Sequence, residues 1–211
     1  MDSMRWTGSA GEILDWAAAG QPITGQAVSG DLHLVAPFSV GVLIAVIDGL
    51  GHGPDAQKAA RVAVEVLLRD PALPVEKLVA RCHEELGRLR GAVMSLASFD
   101  ATEATMTWIG VGNVEGVLLR RCPAAGQARH ERLLLWGGIV GQTLPKLRPW
   151  TLSLGAGDTV VLATDGVRTS SLDDTRTSDT VEGIANGLLA RHARGTDDAL
   201  VVAARYRGGA L

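Results

Sequence analysis

The stretch that most constrains this chain is residues 43–53, LIAVIDGLGHG, where an apolar, β-branched run over 40–47 ends at Asp48 and passes into alternating glycines. A continuous run of this kind reads as a strand buried on both faces, which needs a packed layer on each side of it. Asp48 puts a carboxylate at the mouth of that strand. Gly49, Gly51 and Gly53 let the chain turn sharply and let another group come close to its backbone. Taken alone, the stretch reads equally well as a strand, a turn and a helix N-terminus. Its meaning depends on what the rest of the chain brings to it.

Residues 54–69 change period. Ala59, Val62, Ala63, Val66 and Leu67 recur at helical spacing, and Pro54 and Asp55 suit a first helical turn, so a helix is predicted there. A second is predicted over 75–90, with Leu78, Val79, Cys82, Leu86 and Leu89 inward and Gly91 as its stop. Between 12 and 36, short apolar pieces separated by Gly20, Gly25 and Gly30 read as consecutive strands. A turn at Pro37-Phe38-Ser39 then makes a hairpin that sets Asp31 beside Asp48. Residues 93–121 read as three antiparallel strands with turns at 100–102 and near Asn113. Further strands are predicted at 132–136, 150–154, 159–163 and 199–205, a helix at 180–194, and polar loops at 123–129 and 170–180. About ten strands against three helices argue for sheets packed together with helices outside.

Composition narrows the function classes. With 20 Lys and Arg against 23 Asp and Glu, the formal net charge is −3, which gives no basic footprint for a nucleic-acid partner. Hydrophobic content of 46% over 211 residues supplies a core for a single domain spanning 1–211. Cys82 and Cys122 show no metal-binding spacing and read as reduced thiols. The N-terminal MDSMRWTGSAGEILDW carries acids where a signal peptide is cationic and then apolar. The most apolar stretch, 32–47, is interrupted by His33, Pro37 and Ser39 and is too short to span a bilayer. A cytoplasmic protein with no membrane partner is expected, with Trp6 as an isolated surface aromatic.

Four acidic points share one grammar: SGD at Asp31, IDGLGHG at Asp48, ATDG at Asp165 and TDDALVV at Asp197-Asp198, each at the end of a predicted strand. A single aspartate in such a place is usually a cap or a turn residue. Four in one small domain suggest convergence, and converging carboxylates repel and raise one another's pKa unless a cation offsets them. An all-oxygen set suits Mg²⁺ or Mn²⁺ and does not suit zinc. The glycines do not follow a nucleotide-binding fingerprint, since DGLGHG is neither a phosphate-cradling loop ending in Lys-Ser/Thr nor GxGxxG.

The set SGD, DGLGHG, GVGN, TDG and DD, in this order along most of the chain, resembles the metal-dependent type 2C serine/threonine protein phosphatases, and within them the bacterial branch that includes SpoIIE. The segment at 137–145, GGIVGQTLP, is similar to RsbX-type stressosome phosphatases. The resemblance implies an α+β fold, a four-layer αββα sandwich of two packed antiparallel β-sheets flanked by helices, with two Mn²⁺ or Mg²⁺ ions at one end. It implies that Asp48 bridges the two ions, that Gly49 lends its carbonyl, and that Asp31 binds one ion. Asp165 and Asp197 would bind the other, with Asp198 as the alternate to Asp197. Hydrolysis of phosphoserine or phosphothreonine by metal-activated water, without a phosphoenzyme, would follow.

The chain also departs from the wider family. Leu50 stands where eukaryotic relatives carry a histidine after DG. His52 is the nearest candidate for a catalytic proton donor, against the alternative that it only shapes the loop. Asn113 reads first as a turn residue and second as a wall of the site, and Arg168 reads as a solvated loop arginine or a substrate contact. The partners implied are phosphorylated STAS-domain regulatory proteins of the RsbS and RsbR type, acted on by a monomer, with phosphorylated anti-anti-sigma factors as the neighbouring alternative. A non-catalytic pseudophosphatase that only binds its partner is the reading from another class, and a small-molecule phosphoesterase is a third.

Overall fold

The apolar run before Asp48 forms β4 (Gly41–Gly49), and its side chains alternate between two different cores. Val42, Ile44 and Val46 face a second sheet, whereas Leu43, Ala45 and Ile47 face a pair of helices. All six are fully buried, and each branched residue among them contributes about 1.5–3 kcal/mol by leaving water. A strand used on both faces must lie inside a stack of at least three layers.

The structure is a computed structural model and describes residues 4–10, 12–122, 129–168, 170, 172, 175–176 and 178–208. Before β4 come β1 (Met4–Ala10), β2 (Leu14–Gln21) and β3 (Asp31–Phe38). After it follow α1 (Pro54–Arg69), α2 (Val75–Leu86), β5 (Ala92–Asp100), β6 (Thr105–Val111), β7 (Glu115–Leu119) and β8 (His130–Arg132). The chain continues through β9 (Trp150–Ser153), β10 (Thr159–Ala163), α3 (Val181–His192) and β11 (Ala199–Tyr206). One sheet has the order β1-β2-β11-β10-β7-β8 and the other β3-β4-β5-β6-β9, and every strand pairing within them is antiparallel.

Three apolar cores hold four layers together. Phe99, Trp108, Leu118, Leu162, Val202 and Tyr206 belong to the central core between the sheets. Ala59, Ala60 and Ala63 of α1 pack with Leu78, Val79 and Leu86 of α2 on the outer face of the five-stranded sheet. Ile184, Ala185, Leu188 and Leu189 of α3 cover the other sheet. This is the expected αββα sandwich. Thr180 caps α3, its side chain accepting a hydrogen bond from Gly183 N at 3.0 Å.

Polar contacts tie the two sheets at the end where β7 finishes and β10 begins. Arg120, 5% exposed, donates to Glu131 at 2.7 Å and to Asp158 at 2.8 Å within one sheet, and reaches the Ser153 carbonyl of the other. Breaking a buried, hydrogen-bonded set of this kind leaves an uncompensated charge.

Several elements differ from the sequence reading. The turn expected at 37–39 falls one residue later, at Ser39-Val40, and Pro37 lies inside β3. That strand is an edge, where proline's missing N–H breaks no ladder. The second turn of the 93–121 region is not a hairpin, because β6 and β7 belong to different sheets and the segment between them crosses over. The second helix ends at Leu86 rather than near 90. Trp6 lies on β1, partly buried against the central core, with its ring 4.9 Å from that of His33. The loop expected at 123–129 lies outside the described residues except for Arg129, and the loop at 170–180 does so in part.

Because β4 joins two cores, truncation on either face should destabilise comparably. Ile44→Ala and Leu43→Ala are each expected to lower unfolding free energy by about 2–5 kcal/mol in urea titrations, without a change in the denaturant slope. Near-neutral behaviour of either variant would contradict the two-core assignment.

Candidate metal centre

The strand-end aspartates meet at one end of the sandwich. Asp31 opens β3 and Asp48 is the penultimate residue of β4, and the antiparallel register sets the two directly opposite one another. From the other sheet, Asp165 follows β10 and the pair Asp197-Asp198 precedes β11, two strands that are hydrogen-bonded neighbours. Each sheet therefore contributes to the same end, and the spacing between the sheets sets the spacing of the carboxylates.

The glycines of the two Asp-Gly pairs serve close packing. A Cβ on Gly49 would collide with the Ala56 carbonyl in the first turn of α1, and one on Gly166 would collide with the Asp198 carbonyl. The backbone therefore folds onto other backbone immediately after Asp48 and after Asp165, which fixes both aspartates at the ends of rigid strands.

Polar contacts lace the sheets together here as well. Thr164 Oγ1 accepts from Leu200 N at 2.9 Å and donates to Asp31 Oδ2 at 2.7 Å, crossing from β10's end to β3. Asp198, 2% exposed, accepts from Ile23 N at 2.7 Å through Oδ1 and from Gly30 N at 2.6 Å through Oδ2. Both of its oxygens are therefore engaged by backbone amides of the segment that leads into Asp31. Its neighbour Asp197 is less buried and accepts only the Asp198 amide, at 2.9 Å, among the described residues. Asp165 Oδ2 accepts from Asn113 Nδ2 at 2.7 Å.

Burial and mutual repulsion dominate the electrostatics. Burial, then the Asp48 charge, holds the Asp31 carboxyl well above the usual range, against the opposing Thr164 hydrogen bond, with Asp198 and Asp165 adding to the rise. Asp48 is pushed up to about 7 by burial first and then by Asp165, Asp197 and Asp198, with a hydrogen bond to Asp31 opposing. Asp165 is raised by burial and by Asp197, while the Arg194 charge and the Asn113 donor act the other way. Among the described residues, no lysine or arginine forms an ion pair with Asp31, Asp48, Asp165 or Asp197.

The donor set fits hard divalent cations. It consists of carboxylates with the Gly49 carbonyl beside them, and it contains no thiol or imidazole. Among the described residues, no three His, Cys, Asp or Glu side chains close around a single point. An extended set of this kind suits ions that complete their shells with water and backbone oxygens. Asp31, Asp48, Asp165 and Asp197 are the side chains available to hold them.

The remaining candidates stand outside this set. His52 is exposed on the loop at 50–53, and Arg168 is exposed just past Gly166. Cys82 is buried with its thiol pushed up to about 12 by desolvation, and Cys122 is exposed. Asn113 touches the site directly, although its GVGN context reads first as a turn. Its partner lies 52 residues away, so the GVGN segment points to the residue as a wall of the site but not to the acid it touches.

The two adjacent aspartates should separate experimentally. Asp198→Ala leaves two backbone amides without their acceptor and is expected to lower stability by about 2–4 kcal/mol. Asp197→Ala should change the metal-free protein by less than about 1 kcal/mol. Urea unfolding of both variants is the check, and equal losses would refute the division of roles.

The sequence profile of the family described as Stage II sporulation protein E (SpoIIE) matches residues 39–207. The phosphoserine phosphatase RsbX of Bacillus subtilis (strain 168) is 25% identical over 165 residues, covering 78% of this chain and 80% of RsbX. A crystal structure of RsbX in complex with magnesium superposes with a TM-score of 0.85 at 21% identity, covering 96% of this chain and 100% of that one. A structure described with the bacterial stressosome, as a modular system adapted to control secondary messenger signalling, has a TM-score of 0.81 and 26% identity, covering 91% and 99% of the two chains. The likeness read from the DGLGHG, GVGN, TDG and DD segments is thus found again over residues 39–207, and the chain belongs to the SpoIIE family.

Proposed function

We propose that this chain, acting as one phosphatase domain over 1–211, is a metal-dependent protein serine/threonine phosphatase that resets stress signalling in the cytoplasm by dephosphorylating STAS-domain proteins of the stressosome. The observation that carries the catalytic part is the opposed Asp31–Asp48 pair, buried and crowded by Asp165 and Asp197, with no described cation paired to it. Such a set is unstable as four charges and becomes favourable when divalent cations occupy it. The reading for STAS-domain substrates is supported by likeness to RsbX and to the stressosome-associated structure.

In this reading Asp31, Asp48, Asp165 and Asp197, with the Gly49 carbonyl, would hold two Mn²⁺ or Mg²⁺ ions, with Asp48 shared between them. When bound, the ions supply Lewis acidity toward a phosphoryl oxygen and lower the pKa of water. The chain's own part is to keep these oxygens oriented on stiff strand ends. Thr164 holds one oxygen of Asp31, Asn113 holds one of Asp165, and Asp198 keeps the 22–30 segment against β11. His52, exposed on the loop after Asp48, is the candidate donor of a proton to the departing seryl oxygen. All four acidic positions are filled, which disfavours a pseudophosphatase.

Mn²⁺ should support hydrolysis of p-nitrophenyl phosphate, and EDTA or Asp48→Asn should abolish it; persistent activity in the variant would sink the scheme. A panel of purified phosphorylated STAS-domain proteins, with anti-anti-sigma factors among them, tests the substrate. Equal rates on unrelated phosphopeptides would count against stressosome specificity.

The same substitution carries a stability signature. Asp48 has a folded value of about 7 against 3.8 for the free group. The folded state therefore binds more protons than the unfolded chain between these values, and its stability falls as pH rises through that window. Without metal, Asp48→Asn should gain stability over the wild type as pH rises from 5 to 8. A difference that is flat with pH in urea unfolding would contradict the shift.

A further inference from the structure

Asn113 does not need to be asparagine for the sake of its turn. The left-handed conformation in this crossover falls on Gly112, with φ of 98°, and Ala104 is the only described non-glycine residue with positive φ. The backbone on either side is already anchored. Gly112 N donates to Trp136 O at 2.9 Å, and Val114 O accepts from the buried Ser95 hydroxyl at 2.7 Å. The segment leaves the five-stranded sheet at β6 and enters the six-stranded sheet at β7. From this fixed point the Asn113 amide reaches Asp165 Oδ2 at 2.7 Å.

We propose that Asn113 is a positioning residue for the metal centre, holding one oxygen of Asp165 so that the carboxylate presents a single, fixed orientation to a divalent cation. The inference rests on the reading of Asp165 as a metal ligand. An amide donor suits the task because it carries no charge to repel a cation and, unlike a hydroxyl, cannot rotate its hydrogen away from the carboxylate. Partners that orient ligands in this way typically alter metal affinity 10–100-fold when removed, in the general order of about one to two decades. Asn113 also favours ionised Asp165, in the same direction as the Arg194 charge.

Asn113→Ser and Asn113→Gly both suit a turn and neither can reach Asp165. Each is expected to weaken Mn²⁺ binding by about 10-fold or more in titration calorimetry without substrate, while the thermal midpoint of the metal-free protein shifts by no more than the loss of one exposed hydrogen bond implies. Turnover of p-nitrophenyl phosphate should fall at limiting Mn²⁺ and recover at excess, with KM little changed. In an Asp165→Asn background the Asn113 substitutions should have no further effect on binding, as a double-mutant cycle requires of residues that act through one another. Wild-type Mn²⁺ affinity in both Asn113 variants, with Asp165→Asn impaired, overturns this inference and leaves the metal reading intact. Wild-type affinity in Asp165→Asn overturns the metal reading itself. A lowered metal-free midpoint with unchanged Mn²⁺ affinity in both Asn113 variants would assign Asn113 a role in the crossover alone.

Discussion

Two carboxylates, Asp31 and Asp48, are set opposite one another at the end of a hydrophobic sandwich, where burial first and neighbouring acids second make their charged forms unfavourable. Asp31 and Asp48 lose hydration, and the latter is raised to about 7 as a result. Such a repulsion is sustained only if the strands that carry it cannot splay. Three apolar cores supply this stiffness, and β4 takes part in two of them.

The polar contacts between the sheets then decide how the repelling groups are spaced. At one end Arg120 reaches across to the Ser153 carbonyl, and at the other Thr164 reaches Asp31 and Asp198 grips the amides before it. Asp197 and Asp198 show how much this depends on backbone context. They are adjacent and chemically identical, but one is saturated by two amides and the other faces the cluster with most of its capacity left. Identity at the level of residue type says little here; the number of N–H groups within reach divides a structural acid from one available to a cation.

Much of this was legible in the sequence where the signal is local. The two-faced character of β4 follows from its unbroken apolar run, and α1 keeps the bounds that its period and Pro54 imply. The Asp31–Asp48 pairing follows from two strands joined by a short turn, although Pro37 drew that turn one residue early because an edge strand tolerates proline. The β6–β7 crossover was not legible. Gly112 and Asn113 suit a hairpin and a sheet change equally, and only the partners of the flanking strands distinguish them. β1 was also hidden, since its small and polar residues pack through Trp6 against His33 rather than through a stripe of their own.

The crossover bears on the chemistry as well as on the topology. It is the covalent link from β6 to β7, and it carries the side chain that fixes Asp165. Thr164 makes the complementary connection, from β10's end to the acid that opens β3. The Thr164 contact crosses between the sheets, whereas Asn113 and Asp165 flank the paired strands β7 and β10, and the two contacts end on adjacent residues, Thr164 and Asp165. A shift of one sheet against the other would therefore move Asp31 relative to Thr164 and the acid beside it, so the packing of the central core and the geometry of the site are one constraint. Substrate choice is not fixed by these groups, because cations held by such acids would act on any phosphoryl group that reaches them. Selectivity must come from the surfaces and loops around the rim, where the chain has fewer packing obligations and its sequence is freer to differ from that of its relatives.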